Sequence, residues 1–312
     1  MVADPRTGEV IAACSTPYAD LTQPDMLGPE DLNLKLVSSA YEPGSISKVL
    51  TAAIGLESGT VGPNDYYTVP YSIMVGEGIV FDVDDRLEYE EMNLREMLRR
   101  SSNVAAALIA QTSIGAEAFS AGIASFGIGT PSGIDYPGEV TGIVKTLPEY
   151  DASTLGSMAF GQGYSVPMVQ MVRAVGAIAN GGVMRTPHLA TQVGDQVLDF
   201  SLEERAVSDL VAERVADMMH TVVTDGTAAS AAVEGFEVAA KTGTGEIASP
   251  TGGYLKNRYL ASLIGFAPVK NPQVLVYVGL NETPYLSYSS AGPVFSAIMG
   301  EALSDLGVLA ED

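Results

Sequence analysis

Val238-Ala239-Ala240-Lys241-Thr242-Gly243-Thr244 is the stretch on which the reading of this chain turns: a short apolar run passes directly into a polar motif interrupted by one glycine. The apolar half reads as a strand, and two more follow at residues 259–266 and 274–278, both dense in Leu, Ile, Val and aromatic residues. Residues 2–15 read as a hairpin around the turn Asp4-Pro5-Arg6-Thr7-Gly8. The chain between is mostly helical in pattern. One helix starts at Ser45 and stops near Gly59, a short one is capped by Asn93 with Glu96 three positions on, and another begins near Asn103. Further helices are expected over residues 116–125 and 166–180, from Ser208 to about His220, and from Pro293 onward. Residues 62–91, rich in Tyr, Asp and Gly, read as irregular. The expected fold is α+β: an antiparallel sheet built from both chain termini, flanked by helices, with an inserted all-helical lobe. Residues 1–312 form one domain in this reading, with a sheet lobe at about 1–60 and 200–312 and a helical lobe at about 61–199.

The chain has 312 residues, 46% of them hydrophobic, and a formal net charge of -22. That composition supports a sizeable core and excludes a disordered acidic tail. Such an acidic balance also argues against nucleic acid, whose phosphates demand clustered Lys and Arg, and against a polybasic membrane patch. A small substrate or a partner with positive groups fits better, and solubility alone is the plainer account of the charge. Cys14 is the sole cysteine, so the chain has no intrachain disulfide and no Cys-rich zinc site; it falls in a strand-like run and is expected to be a buried small hydrophobe. His188 and His220 lie far apart without metal-ligand spacing and are expected to be structural or exposed. Neither metal nor cofactor is called for. Gly127-Ile128-Gly129 follows a helix rather than a strand, which rules out a dinucleotide-binding turn. No uninterrupted apolar run is long enough to cross a bilayer, and the N-terminus lacks a basic flank and an apolar signal core. The sequence therefore suggests either a cytosolic protein or an excerpt from a longer one.

Two upstream motifs complete the polar motif at Lys241. In Ser45-Ile46-Ser47-Lys48, residues three apart on a helix share a face, so an amine is expected beside the Ser45 hydroxyl. A serine is a weak nucleophile until a neighbouring base takes its proton, and Lys48 serves as that base if desolvation and a nearby cation, with Lys241 the candidate, favour its neutral form. In Ser101-Ser102-Asn103 a loop between two helices offers a hydroxyl for proton relay, Ser101, and an amide to hold a substrate, Asn103; plain helix capping is the alternative for Asn103. Around Gly243 a missing side chain permits close approach of an extended peptide, with Lys241, Thr242 and Thr244 suited to a carboxylate and the N–H groups of Ser45 and Thr244 forming an oxyanion hole. A simple bulge or turn is the alternative there. Three such motifs in this order point to acyl transfer through Ser45.

With Tyr41-Glu42-Pro43-Gly44, Phe160-Gly161-Gln162-Gly163, Ala179-Asn180-Gly181-Gly182, Asp225-Gly226-Thr227 and Phe266-Ala267-Pro268 added, nearly the whole chain resembles the transpeptidase domain of class B penicillin-binding proteins. The resemblance implies a β-lactamase/transpeptidase-like fold. It also implies peptidoglycan D,D-transpeptidation: Ser45 attacks the penultimate D-Ala of a stem pentapeptide, D-Ala leaves, and an amine from a neighbouring strand resolves the acyl-enzyme. β-Lactams, which resemble D-Ala-D-Ala, are implied to acylate Ser45. The family needs no metal or organic cofactor, is anchored in the cytoplasmic membrane and acts outside it in cell division or cell shape. Its cell-wall synthesis partners usually engage regions this chain lacks. Ile46 stands where threonine is common, Gly245-Glu246 where Ala-Gln is commoner, and Trp is absent, which bears on substrate preference. No Glu-x-x-x-Asn follows the Ser101 motif, so rapid β-lactam hydrolysis is disfavoured. A D,D-carboxypeptidase or β-lactamase-like hydrolase, or a non-catalytic cell-envelope scaffold, are the alternatives.

Overall fold

Every residue from Leu260 to Ala267 is buried. Since neighbouring side chains of a strand point to opposite faces, both faces of the sheet are covered here. The computed structural model, which describes residues 1–312 apart from 19, 21, 29, 30, 32, 85, 201–203, 250–252 and 311–312, shows why. Five antiparallel strands lie in the order Ala239–Ala248, Tyr254–Ala267, Val274–Thr283, Val2–Ala3, Val10–Ala12. Val2 pairs with Val276, so the two ends of the chain meet in one sheet as the pattern predicts. The closing helix Ala291–Asp305 and the helix Met168–Ala179 pack on the central strands, while the helix Asp209–Asp225 packs on the edge strand Ala239–Ala248.

Several local expectations change. The polar motif does not follow a strand; it lies inside one, with Lys241 opposite Ile264 and Gly243 opposite Ser262. The outer strand stops at Ala12, at the sheet's far edge, so Cys14 is exposed rather than buried. The helix after Ser208 runs on to Asp225, and the Ser208 hydroxyl donates to Glu57 Oε2 at 2.7 Å instead of capping it. Residues 62–91 carry paired ribbons, Tyr67–Val69 with Glu90–Met92 and Ser72–Val75 with Gly78–Phe81, so the inserted region is helical at its centre but not throughout. The helical segments Asn103–Ile109, Ala110–Ile114 and Gly115–Ser125 follow one another over 23 residues, long and apolar enough to cross a bilayer by length and composition. Val104, Ala105, Ala106, Ile109 and Phe119 are nonetheless buried in the core of the fold. Gln111, Thr112, Ser113 and Glu117 interrupt the apolar pattern, which is why the sequence alone does not single it out.

Backbone close approach sets the site's frame. A 3-10 turn, Gly44–Ile46, leads into the helix Ser47–Glu57 and faces the free side of the edge strand. Gly44 has φ +56°, donates its N–H to Gly161 O at 3.0 Å, and has room for no Cβ because Thr244 O would lie 2.7 Å away. Gly161, at φ +94°, is tighter still: a Cβ there would sit 1.9 Å from Gly44 O. Gly161→Ala combines left-handed strain of about 1–2 kcal/mol with overpacking of roughly 1–3 kcal/mol. It should lower the thermal unfolding midpoint by roughly 5 °C or more; an unchanged midpoint by calorimetry would contradict this account of the turn.

Candidate active site

Two helices meet head to tail at Ser101 and Ser102. Asn93 caps the first, Leu94–Arg100, by accepting from Glu96 N at 3.0 Å, as its spacing predicts. The second, Asn103–Ile109, is capped by Ser102, whose hydroxyl accepts from Ala105 N at 2.9 Å. Asn103 is therefore free of capping duty. Between the helices Ser101 takes the left-handed conformation, φ 60° and ψ 36°, which non-glycine residues seldom adopt away from functional sites. That bend turns both its carbonyl and its hydroxyl toward Lys48.

Lys48 is fully buried, and its Nζ lies 2.6 Å from Ser45 Oγ, 2.7 Å from Ser101 O, 2.7 Å from Asn103 Oδ1 and 3.3 Å from Ser101 Oγ. Two of these neighbours, Ser101 O and Asn103 Oδ1, can only accept. A neutral amine has two N–H groups for them, and its lone pair is then left for a hydroxyl. The shortest hydroxyl contact is Ser45. Burial pushes Lys48 down from the usual lysine range to about 7, with the charge of Asp82 pulling the other way. Loss of water, the first of the two expected causes, is thus what favours the neutral amine, without the charge of Lys241.

Lys241, also fully buried, donates to Ser101 Oγ at 2.9 Å and to Thr242 O at 3.0 Å. Burial and then the neighbouring Lys48 hold it well below its ordinary value. One hydroxyl, Ser101 Oγ, thus stands between two amines, and Ser45, Ser101, Asn103 and Thr244 remain half-buried where the lysines are sealed. Thr242 Oγ1 lies 3.2 Å from Thr227 Oγ1, and Thr244 Oγ1 lies 3.0 Å from Ser287 Oγ. The contact between Gly44 and Thr244 brings the backbone of Ser45 beside that of Thr244. Gly243, however, is not cut away for an incoming ligand: a Cβ there would meet Ser262 Oγ at 2.5 Å and Ile46 Cγ1 at 2.8 Å. The glycine makes room for Ile46 beneath the strand.

All eight residues singled out from the sequence, Ser45, Lys48, Ser101, Asn103, Lys241, Thr242, Gly243 and Thr244, fall in one cluster, linked from Ser45 through Lys48, Ser101 and Lys241 to the edge strand that lies against the Gly44–Ile46 turn. The two histidines do not join them: His188 is buried and stacked on Phe200 with ring centroids 3.9 Å apart, and His220 Nδ1 lies 2.9 Å from Val238 O. Sequence reasoning missed Asp82, Ser287 and the contact of Gln162 Nε2 with Glu246 Oε2 at 2.7 Å. Nothing in the pattern around Asp82 marks it among so many acidic residues.

The penicillin binding protein transpeptidase domain model matches residues 1–300. The chain belongs to this family. It is 31% identical over 321 residues to a protein of Neisseria flavescens named "Probable peptidoglycan D,D-transpeptidase PenA", covering 99% of this chain and 75% of that relative. Other curated relatives are longer, and the chain spans 49% to 52% of three of them. Among solved structures, an Atopobium parvulum DSM 20469 protein designated a peptidoglycan glycosyltransferase superposes with a TM-score of 0.93 at 44% identity, covering 99% of this chain and 72% of that one. Penicillin binding protein 3 of Mycobacterium tuberculosis, complexed with aztreonam, gives 0.87 at 29% identity, covering 100% and 73%. These transpeptidase domains have the β-lactamase-like arrangement of sheet and helices found here.

A buried amine carries a signature in stability. Unfolded Lys48 keeps its proton up to the ordinary value of 10.5, whereas folded Lys48 releases it near 7. Between those limits the unfolded state binds more protons, so stability gains up to about 1.4 kcal/mol per pH unit from this group as pH rises. Denaturant unfolding of the native protein and of Lys48→Met should diverge in that direction between pH 7 and 10; parallel profiles would show that Lys48 titrates normally.

Proposed function

We propose that this chain is the catalytic domain of a peptidoglycan D,D-transpeptidase working through a Ser45 acyl-enzyme. The observation that carries the reading is the amine pair: Lys48 beside Ser45, and Lys241 reached through Ser101. Ser45 Oγ gives its proton to neutral Lys48 as it attacks the carbonyl carbon of the penultimate D-Ala of a stem peptide. The N–H groups of Ser45 and Thr244 hold the developing oxyanion, helped by the positive end of the Ser47–Glu57 helix. Ser101, poised between the two lysines, passes the proton to the departing D-Ala nitrogen as the peptide bond breaks. The Asn103 carbonyl is committed to Lys48, which leaves its NH2 for the substrate backbone. Thr242 and Thr244, with Lys241, take the terminal carboxylate, and an extended peptide lies along the edge strand. A second peptide's amine then attacks the ester and frees Ser45, reversing the same proton path.

β-Lactams fit the same path, because their strained amide offers a carbonyl in the place of the D-Ala bond and leaves Ser45 esterified. The two lobes, about 1–60 with 200–312 and about 61–199, make one domain with the site at their junction. In this reading the whole protein acts outside the cytoplasmic membrane, anchored to it, in cell division or cell shape with cell-wall synthesis partners; the peptidoglycan D,D-transpeptidase names of the relatives support the extracytoplasmic part of it. The glycosyltransferase designation of the Atopobium parvulum protein names a reaction at sugars. The serine and paired amines gathered here suit acyl transfer instead.

Mass spectrometry after fluorescent penicillin treatment should find one adduct, on the peptide containing Ser45. Ser45→Ala should carry none, and Ser101→Ala should acylate roughly a hundredfold more slowly, the scale of a lost proton-transfer group. Because Lys48 must be neutral, the acylation rate should climb as pH rises through about 7. Absence of any adduct on folded protein would overturn the reading, and release of the acyl group by water as fast as by an added amine would turn it toward a hydrolase.

A further inference from the structure

Among the described residues Asp82 is the only buried carboxylate, 7% exposed, and the steps above do not use it. It sits just past the ribbon strand Gly78–Phe81, far along the chain from every motif of the site. Both of its oxygens are hydrogen-bonded. Oδ2 accepts from Ser102 Oγ at 2.6 Å and from Arg86 Nη2 at 2.9 Å, and Oδ1 accepts from Val104 N at 3.0 Å. Ser102 and Val104 are the two neighbours of Asn103, so one carboxylate grips the chain on either side of the residue that holds Lys48. Arg86 is as buried as its partner, with side-chain exposures of 6% and 5%, and its Nη1 ties on to Val69 O at 2.9 Å. The clamp therefore anchors the helix start at Asn103 to the ribbons.

A carboxylate sealed from water is costly unless paired and hydrogen-bonded. Ser102 already caps Ala105 N of the helix from Asn103, and the one further first-turn N–H that Asp82 takes, Val104 N, does not call for a buried charge. What a buried charge adds at this place is a fixed negative charge near Lys48 and a hold on a loop in a strained bend. We propose that Asp82, held by Arg86, is a positioning residue for the acyl transfer: it fixes the Ser101-Ser102-Asn103 loop against Lys48 and sets a buried negative charge that bears on Lys48. This rests on Lys48 acting as the base for Ser45.

The ionisable groups that face Lys48 are Lys241, from the edge strand across Ser101 Oγ, and Asp82, from beyond the ribbon. Arg86 faces Asp82 in turn. Removing the carboxylate charge leaves Lys48 to desolvation, so its neutral form extends to lower pH. Removing Arg86 leaves the Asp82 charge uncompensated, so the protonated form of Lys48 persists to higher pH. Loss of loop geometry is a separate effect and slows acylation in both cases, on the order of tenfold to a hundredfold for a displacement approaching 1 Å.

Acylation of the native protein, Asp82→Asn, Arg86→Gln and Asp84→Asn by fluorescent penicillin is measured against pH, with each variant's melting temperature recorded. Asp84, an exposed carboxylate paired with Arg100, serves as the control for general charge and should follow the native profile. The expected result is a lower plateau in Asp82→Asn and Arg86→Gln, with the acid limb moved to lower pH in the first and to higher pH in the second. A scaffold role alone lowers the plateau without moving the limb in opposite directions. Limbs that stay in place, or shift together, overturn the proposal; if Asp82→Asn does not fold, the direction in Arg86→Gln decides. Failure of the native protein to acylate overturns the transpeptidase reading instead, so the two failures are distinguishable.

Discussion

Two amines without water, joined through a single hydroxyl, are the constraint around which this molecule is arranged. Lys48 and Lys241 are both sealed in the interior, and each would exact several kcal/mol in desolvation if it stayed charged there without compensation. The fold answers by surrounding Lys48 with obligate acceptors, a backbone carbonyl and a side-chain amide oxygen, and by letting both amines drift toward neutrality. That answer is also what the chemistry needs. A lysine that kept its ordinary basicity would hold its proton at neutral pH and leave Ser45 inert, so the cost of burial and the capacity to activate a hydroxyl are one quantity seen from two sides.

Holding such a pair requires three segments far apart in sequence to converge within hydrogen-bond range, and the backbone achieves this by close approach rather than by bulky packing. Gly161 lies against Gly44, Gly44 against Thr244, and Ile46 fills the space that Gly243 leaves open. Each of these contacts is set by the lack of a Cβ, so the serine turn is wedged between the 160–163 loop and the edge strand with little room to move. The strain at Ser101 is tolerated for a related reason. Its own N–H donates to Leu98 O at 3.1 Å and the next residue is pinned twice, Ser102 N–H to Met97 O at 3.0 Å and Ser102 Oγ to Asp82, so the left-handed bend is over-determined by its surroundings.

The parts legible in the sequence were those governed by short-range rules. Short apolar runs gave the sheet at both termini, Asn93 with Glu96 gave a helix start, and Ser45 with Lys48 gave a shared helical face, because each depends on residues a few positions apart. Asp82 was invisible since its meaning comes from Ser102, Val104 and Arg86, and only the last is near it in sequence; in a chain of net charge -22 one more aspartate carries no signal. Gly243 was legible as a special position but not for the right reason, as its neighbour Ile46 lies 197 positions away, being 243 minus 46. Cys14 went wrong through edge effects: the apolar run continues to it, but the sheet ends at Ala12 and leaves nothing to bury it.

The acidic surface and the basic centre are consistent once distance is considered. Fields from exposed carboxylates fade within about 8 Å at physiological ionic strength, whereas a buried charge is screened little. The large negative total therefore governs how the domain behaves toward other macromolecules, whereas Asp82, buried and paired with Arg86, is the carboxylate whose charge bears on Lys48. Asp82 and Arg86 are buried as a pair, so the proton shared among Ser45, Lys48 and Ser101 moves beside a carboxylate already held in place. Moving that proton from Ser45 to Lys48, and onward through Ser101, then needs no change in the net charge of the interior, which is the condition under which a dry site transfers protons at low cost.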